Sequence, residues 1–250
     1  MQAGADPNEG IAEHISGEPS FVIPALHQAA RRMCDAAMVE LLLGGGADPS
    51  KTYKGVTPYA MARVYGNEDA ARLIADAGGD TALDDMLTLL AAAADGTVPE
   101  GQYIDPARLP GEFRDLVRNL LHMPEKFEQV QRLVALGMEY DRPDSQGLTP
   151  VQIAGWEGLP RELAYFLGLK PDLSHINGYG GTLLSTIIHG SENCPSRAER
   201  DHVECARLAL VEGVALPRQA IEFAGEPGMT AFLKDWAERY PGQVVAEGVG

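Results

Sequence analysis

The sequence predicts an all-α fold: a solenoid of stacked helix-turn-helix units with short β-hairpin-like fingers and a C-terminal helical cap. Three observations predict it. Two short runs share one logic, Thr57-Pro58 opening the stretch that ends at Tyr65-Gly66, and Thr149-Pro150 opening the stretch that ends at Gly155-Trp156. Threonine supplies an N-cap oxygen, proline a first helical residue with φ already set, and Gly66 or Gly155 a place to stop. Helices this short are marginal alone, since about 12 residues is the lower limit in water. The third observation is spacing: Pro24 precedes Thr57 by 33 residues, and Thr182 follows Thr149 by 33. Short helices recurring at one period have to bury against each other, which is a stack.

The opening Pro24-Ala25-Leu26-His27-Gln28-Ala29-Ala30 and the closing Val39-Glu40-Leu41-Leu42-Leu43-Gly44-Gly45-Gly46-Ala47-Asp48-Pro49-Ser50, set at that period, resemble the ankyrin repeat, here in a divergent, bacterial-type form with insertions. The resemblance implies that His27 joins neighbouring loops by hydrogen bonds. It also implies a non-catalytic module that binds a protein or peptide through a concave groove and its finger loops. Carried over position by position, the groove stripe is Gln28, Arg31 and Arg32; Met61, Val64 and Tyr65; Ile153, Trp156 and Glu157; Thr186 and His189. The fingers add Tyr53, Lys54, Arg142, Gln146, His175, Asn177 and Tyr179. Aromatic and Arg side chains in such a stripe are the residue types that anchor interfaces.

Taken in order, residues 1–20 read as the end of a repeat, Gly4-Ala5-Asp6-Pro7-Asn8, and a mobile lead-in, with order beginning near Phe21; that start is what a piece of a longer protein would show. One solenoid then spans 21–241. Its first repeat, 21–48, has an inner helix over 25–33 and an outer helix over 35–43, with Met38, Leu41 and Leu42 on one packing face. The second, 55–80, continues that face with Ala70, Leu73 and Ile74. An irregular stretch, 83–141, contains a helix at 83–94 that is either extra or stands in for an inner helix, a Pro-rich loop, and a helix pair at 112–123 and 125–136. The fourth repeat, 147–172, is regular. The fifth, 180–215, is interrupted at Gly190 to Ser196 before an outer helix over 200–212. A terminal pair at 217–240 places Ile221, Phe223, Phe232, Leu233 and Trp236 over the open end, and 242–250 is a frayed tail.

Thirty-six acidic against twenty basic residues give a net charge of −16, which opposes binding to nucleic acid or an anionic membrane surface and suits a basic partner. No run approaches the ~18 apolar residues of a spanning helix. Three cysteines, an odd number, suit a reducing compartment, and the cytoplasm is the expected location. No cofactor is expected: phosphate loop, nucleophile elbow and zinc-protease helix signatures are missing. Ser185 and Ser191 have His189 nearby in sequence but lack the rest of a catalytic site. The alternative to a binding module is a zinc site, structural or enzymatic, from His189, Cys194, His202 and Cys205, whose thiolates and imidazoles fall within 17 positions.

Overall fold

The structure, a computed structural model, describes residues 6–9 and 23–246. The expected lead-in over 10–20, the onset of order at Phe21 and the last residues of the tail, 247–250, lie outside them. The described chain is all-α apart from two-residue strands, and its helices pair and stack as the repeat pattern implied. It divides into two compact units, Met1–Arg114 with Gln131–Met138, and Asp115–Val130 with Glu139–Gly250.

In the first unit, α1 (Ala25–Arg31) pairs with α2 (Ala36–Gly44), and α3 (Pro58–Tyr65) with α4 (Glu68–Asp76). α3 lies along α1, and α5 (Asp85–Asp95) lies along α3 in the same way. The helix expected at 83–94 therefore stands in for an inner helix. Local chemistry sets the ends. Thr57 Oγ1 accepts from Ala60 N–H at 3.1 Å, and Gly66 closes α3 in the left-handed region at φ 69°. His27 Nε2–H donates to the Val56 carbonyl at 2.9 Å, joining α1 to the finger closed by the Tyr53–Val56 bridge, as the resemblance implied.

Each repeat in this unit ends in one device. The carboxylates of Asp6, Asp48, Asp80 and Asp105 accept from the N–H two residues on, at 2.8, 2.8, 3.0 and 2.9 Å. Neighbouring turns are laced together, Asp48 N–H to Asn8 Oδ1 at 2.6 Å and Asp80 N–H to Ser50 Oγ at 3.0 Å. The segment Ile104-Asp105-Pro106 is thus the end of the eroded repeat. Ile104 is buried and its N–H donates to Leu136 O at 2.7 Å, while Arg132 Nε–H caps α5 by donating to Ala93 O at 2.6 Å. One packing expectation fails: in α2 only Val39 is buried, and Met38 and Leu41 face solvent.

The second unit stacks α6 (Leu116–Leu121), α8 (Pro150–Trp156) and α10 (Leu183–Asn193), with α9 (Pro160–Gly168) against α8 and α11 (His202–Val211) against α9 and α10. α7 (Phe127–Ala135) begins in this unit and ends in the first. The pair expected at 112–123 and 125–136 is shorter, because single 3-10 turns at Gly111–Phe113 and Pro124–Lys126 precede α6 and α7.

Two glycines read as stops are contact points. A Cβ on Gly155 would lie 2.7 Å from Ile187 Cγ1, and one on Gly190 would lie 2.3 Å from the Trp156 carbonyl oxygen. They let α8 and α10 approach. α10 runs into the expected interruption, through Gly190 to Asn193, and stops at its C-cap Cys194, extended at ψ 127° before Pro195, which disfavours helix in the residue ahead of it; the break before α11 therefore starts at Cys194 rather than Gly190.

The cap also differs from expectation. α12 (Arg218–Phe223) buries no residue and Phe223 is exposed; Met229, Leu233 and Trp236 of α13 (Pro227–Arg239) do the covering, and α13 packs on α11. Residues 243–245 are held rather than frayed. The Gln243 amide donates to Leu210 O and Val214 O, each at 2.7 Å, its oxygen accepts from the Trp236 indole at 3.0 Å, and β2 (Val244–Val245) pairs in parallel with β1 (Leu216–Pro217).

Candidate functional site

In the second unit the fingers are stiffened by their own hydrogen bonds. Asn177 Oδ1 accepts from Tyr179 N–H at 3.0 Å and Gly181 N–H at 2.9 Å, and its amide donates to Thr186 Oγ1 at 3.2 Å. Gly178 N–H donates to Gln146 O at 2.8 Å and His175 Nε2–H to Gly147 O at 2.7 Å, so one finger is pinned to the next. Gln152 of α8 reaches both His175 O and Gly181 O. Polar atoms expected to meet a partner, those of His175, Asn177 and Thr186, are spent inside. What the network holds outward is Tyr179, 72% exposed, with Ile176 beside it.

α10 shows one narrow exposed line along an otherwise buried helix. Leu184, Ile187 and Ile188 are buried, whereas Ser185, His189 and Asn193, spaced by one helical turn, are exposed. The Trp156 ring stacks at a tilt on His189, centroids 5.2 Å apart, and Asn193 Nδ2–H donates to His189 Nδ1 at 3.0 Å. This row offers an aromatic surface beside hydroxyl, imidazole and amide groups.

Next to it in the chain lies a polar cluster that is open to solvent at His122. Glu157 accepts from His122 Nδ1–H at 2.8 Å and from the Cys194 thiol at 3.7 Å. Burial pushes the Glu157 carboxyl up, but the His122 hydrogen bond and charge, helped by Arg200, outweigh it and leave the carboxyl below its ordinary value. His202 Nε2–H donates to Trp156 O at 2.9 Å, and burial holds its imidazole below the ordinary value. Burial raises the Cys194 thiol, and raises that of Cys205 much further. These are poor thiolates.

The zinc alternative is overturned here. Among the described residues no three His, Cys, Asp or Glu side chains gather to hold a metal ion. His189 is exposed on α10, Cys194 faces Glu157, His202 is committed to a carbonyl, and Cys205 is buried within α11.

In the first unit, Arg31, Arg32 and Tyr53 are at least partly accessible, and Arg31 and Lys54 both pair with Glu112. Met61, Val64 and Tyr65 are corrected. They are 0%, 0% and 1% exposed, because α3 is covered on both flanks by α1 and α5, and the Tyr65 ring meets the Phe113 ring at 6.5 Å. In the second unit Ile153 is likewise buried between helices, and Glu157 is the buried hub just described, so neither offers a contact surface. Trp156 is half-buried. Sequence reasoning left Ser185 out of the stripe, weighing it only as a nucleophile, and missed His122 and Glu112. Ser185 was within reach of the stripe logic, three residues after the N-cap Thr182; His122 and Glu112 fall in the irregular stretch, where no register exists to place them.

The family model for the ankyrin repeat matches residues 24–53. No curated protein matches the chain. Among solved structures the chain is similar to the human ASB11 ankyrin repeat domain, at 18% identity, with 85% of this chain and 82% of that chain covered and a TM-score of 0.44.

Proposed function

We propose that the chain is a non-catalytic module that binds a protein or peptide partner through exposed and partly exposed inner-face and finger side chains: Tyr179, Trp156, His189, Ser185 and Asn193 in the second unit, and Arg31, Arg32 and Tyr53 in the first. The observation that carries the reading is the finger. A dense set of internal hydrogen bonds holds an aromatic ring 72% exposed, where burial would be the favourable place for it. A finger backbone already held in place loses little conformational entropy on binding. The net charge of −16 supports a basic partner at long range. Three unpaired thiols, Cys34, Cys194 and Cys205, support a reducing compartment, the cytoplasm. Among the described residues no helix is long and apolar enough to cross a membrane.

The test is capture from source-cell lysate by the intact chain and by a Tyr179→Ala, His189→Ala variant, followed by affinity measurement on the purified partner. Both side chains are exposed, so folding is expected to survive. Loss of about 2 kcal/mol, roughly thirtyfold in affinity, is expected for an aromatic anchor. A partner held equally by both proteins would sink the assignment.

A further inference from the structure

On the exposed line of α10 the hydrogen bonds around His189 fix which of its nitrogens carries the proton. Asn193, one turn further on, folds its amide back: Nδ2 donates one hydrogen to the His189 carbonyl and the other to the ring nitrogen Nδ1, each at 3.0 Å. A carbonyl can only accept, so the nitrogen of the amide and not its oxygen faces His189. Nδ1 must then accept as well, and the ring is the neutral form with its proton on Nε2. Neither His189 Nε2–H nor Asn193 Oδ1 has a hydrogen-bond partner among the described residues. The ring is also held on its face by Trp156, centroids 5.2 Å apart, and the Trp156 indole N–H likewise has no partner among the described residues. Two donors and an acceptor are thus carried by side chains that are already held, on residues that are exposed or half-buried.

Groups held in place before anything arrives lose little side-chain entropy when they are paired. What pairs with the two donors is either an anion or a neutral carbonyl. The neutral imidazole offers an anion no opposite charge, and the net charge of −16 opposes one. We propose that this patch takes the main chain of an extended, uncharged segment of the protein partner. Carbonyl oxygens of the segment accept from His189 Nε2–H and the Trp156 indole N–H, an amide N–H donates to Asn193 Oδ1, and an apolar side chain rests on the Trp156 ring. The acidic field of the chain draws a basic partner from a distance, while the segment in contact here is neutral. The inference rests on reading the α10 line as partner-facing, and it adds what that line recognises.

The experiment is NMR on the full chain carrying nitrogen-15-labelled histidine and tryptophan, at about pH 8.5, above the ordinary imidazole range. Long-range proton–nitrogen spectra of the free protein are expected to show the His189 proton on Nε2. Asn193→Asp keeps the shape but can only accept, so it draws the proton to Nδ1 and leaves Nε2 without one. Titration with the peptide acetyl-Leu-Ser-Leu-Ser-amide then reads binding through the His189 and Trp156 signals, with acetyl-Leu-Glu-Leu-Glu-amide as the anionic counterpart. The neutral peptide is expected to bind the intact chain more tightly than the acidic one. Asn193→Asp weakens it roughly three- to tenfold, the size of one neutral hydrogen bond. A proton on Nδ1 in the intact chain overturns the proposal, as do a neutral peptide that moves neither signal, a preference for the acidic peptide, and an affinity that Asn193→Asp leaves unchanged. Circular dichroism checks folding of the variant, which is changed at an exposed position. Should it unfold, His189→Gln, which keeps an N–H donor, has to retain binding that His189→Ala loses, and equal binding by those two overturns the proposal. Asn193→Asp leaves Tyr179 intact, so a partner lost by the Tyr179→Ala, His189→Ala variant, with neutral-peptide binding indifferent to Asn193→Asp, sinks this inference alone. A partner held equally by that double variant sinks the broader reading, and the His189 proton is located without any partner.

Discussion

Gly190→Ala measures how closely α8 and α10 lie. In an isolated helix the change would help, by about 1 kcal/mol, because alanine is the better helix former. Here the new Cβ would lie 2.3 Å from Trp156 O, 2.9 Å from Trp156 Cα and 3.0 Å from Trp156 C. All three are backbone atoms of α8, which no rotamer change can move aside. Ordinary carbon-to-oxygen contacts begin near about 3.3 Å, so α10 must retreat by about 1 Å along a shared surface. Overpacking of this kind costs about 1–3 kcal/mol, and rigid backbone places this site at the upper end. Set against the helix gain, a net loss of about 2 kcal/mol remains, which lowers the melting temperature of a chain this long by about 4–8 °C. Thermal melts followed by far-UV circular dichroism and by tryptophan fluorescence read it directly. Gly168→Ala, at the end of α9 with nothing within 4 Å of its Cβ, is the control and should melt at or above the intact protein. A Gly190→Ala variant as stable as the intact chain, or two glycines that behave alike, would refute the close approach.

Three further outcomes are expected. Tyr65→Ala removes a ring that is 1% exposed, so it should cost about 3–5 kcal/mol in urea unfolding rather than act on binding; a variant of normal stability with selectively lost binding would restore Tyr65 as a contact residue. His27 and His202 are held below the ordinary imidazole value by burial, against the lifting effect of their carbonyl bonds. The unfolded chain therefore takes up protons below about pH 6.5 that the folded chain refuses, so their stabilising contribution is complete above that pH and is lost as pH falls toward their folded values. His202→Gln keeps an N–H donor for Trp156 O and removes the titration, so stability should fall less steeply below about pH 6.5; an unchanged slope counts against the assignment. The depressed Glu157 carboxyl acts at lower pH, contributing fully above about pH 4.3 and losing that contribution as pH falls through its folded value.

The helices and their caps were legible because they depend on near neighbours. Thr57-Pro58 and Gly66 bound α3, Asp35 caps α2 through Met38 N–H, and Asp84 caps α5 through Leu87 N–H, all contacts within a few residues. The end of the eroded repeat was within reach as well, since Asp105-Pro106 repeats Asp48-Pro49 and Asp6-Pro7, and the turn needs only an Asp and the N–H two residues on. The groove stripe was legible only in part. It was carried from the register of a regular repeat; Arg32 and His189 are exposed, while Met61, Val64 and Tyr65 lie where α5 covers α3. Nothing in residues 58–65 announces that cover, because it is made by a helix some twenty residues further on, after the register has slipped.

By itself, then, the sequence determined that this chain is a stack of short capped helices at a 33-residue spacing, because helix nucleation, capping and turns are set by residues within one or two turns of each other. Only the tertiary structure decided which faces of those helices remain exposed. Burial is a property of what packs against a side chain, and for Tyr65, Glu157 and Tyr179 that partner, or its absence among the described residues, lies in another part of the chain.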